Sequence, residues 1–192
     1  MPPNPTILAF DTSAAHCAAA LLLDSQITTR VDPMARGQAE HLMVMLADML
    51  SEAGIDWSAL DAVAVGIGPG NFTGIRISVS AARGVALGLG KPAIGVSSLE
   101  ALAHGQPRPF AACLPAPRDH HYAQTYTAQG SDAPMLAQGT ASPPDPVALI
   151  TNIAQLAAER LTAGAPIARP APLYLRPADA APPSDPAPLI LP

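Results

Sequence analysis

Residues 61–76 read DAVAVGIGPGNFTGIR. Ala62–Val65 is a short β-prone run, and the glycine-rich turn Gly66-Ile67-Gly68-Pro69-Gly70 follows it. A helical pattern then runs from about Thr73 to Leu89. Strand, glycine turn and helix in that order are the repeating step of an α/β fold with parallel strands. The start of such a helix carries unpaired N–H groups and a positive dipole end, which can hold an anion. Gly68, Gly70, Thr73 and Gly74 are therefore candidates for a degenerate phosphate loop. The stretch is not a Walker A motif, because no Gly-Lys-Ser/Thr follows. Glycines in a strand-to-helix turn also have a purely steric use, and the sequence leaves both readings open.

Upstream, Thr6–Asp11, Cys17–Leu23 and Ile27–Val31 read as three strands joined by short polar turns, an antiparallel meander. Asp11-Thr12-Ser13 stands where the first strand turns. A carboxylate beside two hydroxyls suits a phosphate or its metal ion, and it equally suits an ordinary turn. Gln38–Ala53 is helical and stops at Gly54. Downstream, Lys91–Val96 is a strand, and Ser97-Ser98-Leu99-Glu100 has capping-box spacing. The order is β-β-β-α-β-α-β, one complete lobe over residues 1–108.

Proline divides the chain: seven of its 23 prolines fall in residues 1–108 and sixteen in 109–192. Residues 109–179 read as a reduced second lobe. Strands are expected at Phe110–Leu114 and Tyr122–Thr127, and a short one at Leu173–Leu175. A helix is expected over Pro146–Thr162, with Asp145 as its cap. Residues 180–192 are Pro/Ala-rich and expected to be an extended or disordered tail.

The chain has 192 residues, of which 49% are hydrophobic and 13% charged. The charged share is about half the usual quarter. A charge-poor surface fits cover by a partner, and it also fits the drift of an Ala-, Pro- and Arg-rich composition in which Lys91 is the only lysine. The net charge of −5, with no basic stripe, argues against direct grip on nucleic acid. The two cysteines, Cys17 and Cys113, are not metal-spaced. No leader pattern and no membrane-length apolar run is present, so a cytoplasmic location with no membrane contact is expected.

The helix Gln38–Ala53 spreads apolar residues around most of its wheel, Met43, Met45 and Met49 among them. A surface helix shows one apolar stripe, so cover on two sides is expected, one side by a partner. On the next helix Gly74, Ser78, Ala81, Val85 and Gly88 fall on one face, and four of the five are very small. Such a face lets another helix approach closely. Together these residues form the expected partner surface, with burial inside one chain as the alternative.

ILAFDTS (7–13), DAVAVGIGPGNFTGIR (61–76) and PAIGVSSLEALA (92–103) resemble the TsaB family, a bacterial subunit of the tRNA threonylcarbamoyladenosine machinery. Tyr174-Leu175-Arg176 resembles that family's late YLR element. The resemblance implies the two-lobed actin-like ATPase (ribonuclease H-like) fold, here with a shortened second lobe. It implies a non-catalytic subunit that docks on its catalytic paralogue TsaD, works with the ATPase TsaE, and self-associates when TsaD is absent. Transfer RNA would be met only indirectly, as threonylcarbamoyl is placed on the adenosine beside the anticodon. No catalytic residue is assigned, and no intrinsic cofactor beyond weak ATP or ADP at a partner interface. The metal-binding relative carries a His-x-x-x-His pair, but here His41 is followed at that spacing by Met45. The family shows a run like D-A-R-R-G-E-V-Y where this chain has Pro115-Ala116-Pro117-Arg118-Asp119-His120-His121-Tyr122. The resemblance therefore carries over no ligand contact in the second lobe. Two other readings remain: a nucleotide-dependent kinase or ATPase using Asp11 and the Gly68–Gly74 loop, and a peptidase.

Overall fold

The computed structural model describes residues 4–164 and 166–175. Five strands, β1 (Ile7–Asp11), β2 (His16–Leu23), β3 (Gln26–Pro33), β4 (Ala62–Gly66) and β5 (Ala93–Val96), form one sheet in the order β3-β2-β1-β4-β5. The meander β1-β2-β3 is antiparallel, and β4 and β5 run parallel to β1. Alternate side chains of a strand point to opposite faces. One face carries Leu8, Phe10, Cys17, Ala19, Val63 and Val65, packed under α1 (Gln38–Glu52) and α2 (Phe72–Leu89). The other carries Ile7, Ala9, Ala18, Ala20, Ala62 and Ala64. Burial on both faces is why β1 and β4 read as unbroken apolar runs.

The second face is covered by α4 (Pro146–Thr162), whose Leu149, Ile150, Ile153, Ala154, Leu156, Ala157 and Leu161 make the buried stripe. The alanines opposite let the helix lie close to the sheet. Asp145 caps α4 by accepting from the amides of Val147 and Ala148, with Pro146 in the first turn. Such a cap is worth about 1 kcal/mol. The expected bounds of α4 hold, but its place differs from the reading that assigned 109–179 to a second lobe. By its contacts α4 belongs to the first sheet, because only there does its apolar stripe find a matching face.

The second sheet is smaller: β6 (Phe110–Ala116), β7 (His120–Thr127), β8 (Gly130–Ser131) and β9 (Met135–Gln138), all antiparallel. It packs on α3 (Ser98–Ala103) through Leu99, Ala103, Ala112, Leu114 and Tyr122. Ser97 caps α3, accepting from the Leu99 amide. Glu100 does not close the box; it pairs with Arg160 of α4, which also donates to the Gly95 carbonyl. β8, β9 and a 3-10 turn at Trp57–Ala59 escaped the sequence reading, being too short for any periodicity. The strand expected at Leu173–Leu175 is absent: the segment's backbone bond is from the Leu173 amide to the Ile67 carbonyl, with no strand pairing. Arg176 and the expected 180–192 tail lie outside the described residues. Among the described residues no helix is long and apolar enough to cross a membrane.

Candidate functional site: the Asp11 turn and the glycine loop

β1 ends at Asp11, and the chain turns back through Thr12 and Ser13 into β2. All three residues are buried. Asp11 Oδ2 accepts from the Ser13 amide at 3.1 Å and from Ser13 Oγ at 2.8 Å. His16 Nε2 lies 3.5 Å from the same oxygen. Asp11 Oδ1 has no hydrogen-bond partner among the described residues. Gly66, at the end of the adjacent β4, makes room for it: a Cβ there would stand 2.2 Å from Oδ1.

The glycine loop closes directly over this turn. The Asn71 amide donates to the Ser13 carbonyl at 2.7 Å, and Thr12 Oγ1 donates to the Gly74 carbonyl at 2.6 Å. Asn71 caps α2 by accepting from the Gly74 amide at 2.9 Å. A Cβ on Gly74 would sit 1.8 Å from the Thr12 carbonyl oxygen, and one on Gly70 2.6 Å from that of Ser13. These two glycines are thus required by backbone meeting backbone. The structure brings Asp11, Thr12, Ser13, Gly68, Gly70 and Gly74 together, while Thr73 is exposed and lines a cleft beside them. The amides of Asn71 and Gly74 are taken by the chain's own oxygens.

Two adjoining clefts open beside the turn and share Ser13, Ala14, Pro69, Gly70 and Pro115. One, of about 370 Å³, lies against Phe72, Tyr122 and Tyr174. Tyr174 stacks on Phe72 with ring centres 4.1 Å apart, and Arg76 Nε donates to its hydroxyl at 2.9 Å. The other, of about 400 Å³, is lined by Asp11, His16, Ser98 and a row of prolines. His16 and Ser98 are not among the site candidates read from the sequence. His16 could have been found, since the hairpin that presents Asp11 must bring the first residue of β2 to the same mouth. Ser98 gives no local signal, because only the parallel pairing of β5 with β4 carries it there.

The expected partner surface needs correction at four positions. Met45 and Met49 lie in the core under α1, and Gly74 and Ser78 are buried against the turn and sheet. Ala81 and Val85 are half-buried against the same core. Of the expected set, Met43 and Gly88 face solvent. The exposed strip of α2 is turned by roughly one residue and runs through Ser80, Gly84, Leu87 and Gly88. A wheel drawn from sequence shows which residues share a face and is silent on which face the sheet takes. The single histidine of α1, His41, is paired at 2.6 Å with Asp32 of β3. No group of three or more His, Cys, Asp or Glu that could hold a metal ion occurs among the described residues.

Residues 32–176 match the family model described as TsaD: tRNA N6-adenosine threonylcarbamoyltransferase. The chain belongs to the TsaD family. Among TsaD-family proteins it is similar to the tRNA threonylcarbamoyladenosine biosynthesis protein TsaB of Escherichia coli K12, at 38% identity over 99 residues. That match covers 52% of this chain and 43% of the relative. It is similar to the TsaB of Haemophilus influenzae at 37% identity, covering 52% and 42%. The chain thus spans under half the length of these curated relatives. A solved structure of YeaZ from Pseudomonas aeruginosa superposes with a TM-score of 0.71 at 26% identity, covering 89% of this chain and all of that one. The TsaB resemblance read from the motifs is borne out, and so is the two-lobed actin-like, ribonuclease H-like fold.

Proposed function

We propose that this chain is an accessory, non-catalytic subunit for threonylcarbamoyladenosine formation on transfer RNA. It docks on a TsaD-type catalytic subunit, works with TsaE, and pairs with itself when the catalytic subunit is absent. The observation that carries the reading is the outer face of α1 and α2. Met43 is 40% exposed, Val44 57% and Leu87 82%, and Cβ atoms built on Gly84 and Gly88 meet nothing within 4 Å. Large apolar groups beside glycines give a second helix both burial and close approach. The names of the TsaB relatives support the pathway. A chain of net charge −5 leaves the grip on transfer RNA to another subunit, in the cytoplasm. Contact with ATP or ADP is weak and belongs to the partner interface, since the Asn71 amide is taken by the Ser13 carbonyl and the Gly74 amide by the Asn71 side chain.

A substitution on the exposed strip tests the docking. Gly84→Arg adds a long charged side chain in open space, so the free chain keeps its circular dichroism and melting temperature. Against a packed helix the same arginine is a steric conflict and a buried unpaired charge, costing about 3 kcal/mol or more. Co-elution with the TsaD-type subunit of the same organism should be lost. A folded variant that still co-elutes overturns the docking face. Failure of the unaltered chain to co-purify with that subunit overturns the assignment itself.

A further inference from the structure

We propose that the cleft floored by Asp11, His16 and Ser98 binds a small organic ammonium ion carried on an apolar body. Among the described residues, three that line this cleft each carry a buried side-chain atom with no hydrogen-bond partner: Asp11 Oδ1, Ser98 Oγ and His16 Nε2, the last facing Asp11 Oδ2 at 3.5 Å. Asp11 and Ser98 are each 1% exposed. Buried polar atoms without partners are rare, because nothing replaces the hydration they lose. At Asp11 and Ser98 the free atom has no structural task. Asp11 holds the turn through its other oxygen. Capping of α3 is done by Ser97, and Ser98 joins the glycine loop through its amide, which donates to the Gly68 carbonyl. Gly66 leaves the space that Asp11 Oδ1 occupies.

The floor is therefore a set of acceptors. A carboxylate only accepts, and a serine hydroxyl can accept. A primary ammonium offers N–H donors and a positive charge, which suits the free acceptors of Asp11 and Ser98. The walls are Leu114, Leu149, Pro115, Pro143 and Pro144, which supply no side-chain donor. Among the described residues lining this cleft there is no Lys or Arg, and Asp11 is the one carboxylate. An anion entering it would face the Asp11 carboxylate with no Lys or Arg to offset it. An ammonium on a hydrocarbon body would bury that body against leucine and proline and gain charge-assisted bonds at the floor. A volume of about 400 Å³ holds a molecule of benzylamine size.

The test uses the isotopically labelled full chain and follows backbone amide signals during titration with benzylammonium chloride. Benzyl alcohol and sodium benzoate at equal ionic strength keep the ring and change the charge. Benzylammonium should move the Gly66, Gly70 and Ser98 amides to saturation. The alcohol should bind roughly tenfold more weakly, since a neutral donor replaces a charged one. Benzoate should leave these signals in place. Asp11→Asn should weaken benzylammonium by roughly tenfold or more. Ser98→Ala should weaken it a few-fold and keeps the turn intact, so it decides the matter if the Asp11 variant fails to fold. The proposal is overturned if benzoate or the alcohol binds as tightly, if the shifts fall elsewhere, or if folded Ser98→Ala binds undiminished. Magnesium chloride alone giving the same shifts and displacing benzylammonium would make this a metal site and equally overturn it. The measurement needs no partner subunit, so its failure leaves the docking reading where the co-elution experiment puts it.

Discussion

The sheet of β1–β5 is covered on both faces, whereas the sheet of β6–β9 is covered on one. In β1 and β4 every residue is buried; in the eight residues of β7 only Tyr122 is. The first sheet has two hydrophobic clusters, one under α1 and α2 and one under α4, and the second has a cluster of five buried residues on α3. Each residue of a doubly covered strand is held by a helix as well as by its neighbours, so nearly every substitution there meets packed atoms. A singly covered strand has one face that water can accept. The run 115–122, which departs from the TsaB pattern, lies on this second sheet, where departures are most easily tolerated.

The contrast breaks most sharply at Gly74. Gly74→Ala places a methyl 1.8 Å from a backbone oxygen of Thr12, which cannot swing aside as a side chain could. Loop and turn must separate, at a cost of roughly 4 kcal/mol or more, enough to unfold many domains. The expected result is insoluble or unfolded protein; a folded variant with an unchanged melting temperature would mean that the loop and turn are not rigidly joined.

A paired core truncation sharpens the comparison. Ile153→Ala empties a site under α4 that is wholly buried, and should cost about 3–4 kcal/mol. Leu114→Ala, 6% exposed on the singly covered sheet, should cost nearer 2 kcal/mol because the site can collapse. Denaturant melts give both values. Native-state hydrogen exchange should show β6 and β7 opening before β1 and β4. Equal costs and a single opening unit would erase the distinction between the sheets.

The smallest effect is set by pH. Cys17, on the doubly covered sheet, is wholly buried, and burial together with Asp32 and Asp11 pushes its thiol from 9.0 up to about 11. The folded state therefore holds this proton longer than the unfolded chain does. Its contribution is fully present below pH 9 and is lost as pH rises through about 11. The loss amounts to about 2 kcal/mol. Melting temperature followed from pH 8 to 11 should fall more steeply in the native chain than in Cys17→Ala. At neutral pH a thiol reagent should modify Cys113, which is half-buried on the second sheet, well before Cys17. Parallel pH curves for chain and variant, or equal labelling of both thiols, would show that the first sheet is no tighter than the second.

Much of the fold was legible because its signals are local. The apolar runs of β1, β2 and β4, the cap Asp145 before Pro146, and the stop at Gly54 each depend on a few neighbouring residues. The 3-10 turn and the strands β8 and β9 were not legible, since two to four residues carry no period. Of the site, Asp11 through Ser13 and the glycines of the loop stood out as a motif. His16 and Ser98 did not, because each reaches the cleft by strand pairing.

By itself the sequence determined the order of the strands and longer helices of the first sheet, the family, and the glycines on which the site depends. Continuous burial leaves an unbroken apolar run, and backbone contact leaves glycine; both marks are written residue by residue. Only the tertiary structure decided that α4 serves the first sheet, that Met45, Met49, Gly74 and Ser78 face inward, and that Asp11, His16 and Ser98 share one cleft. The reason is that a helix with apolar character on several sides can be turned about its axis without changing its pattern. Which side meets the sheet is settled by the shape and volume of what lies opposite, and that is assembled from residues far apart in the chain.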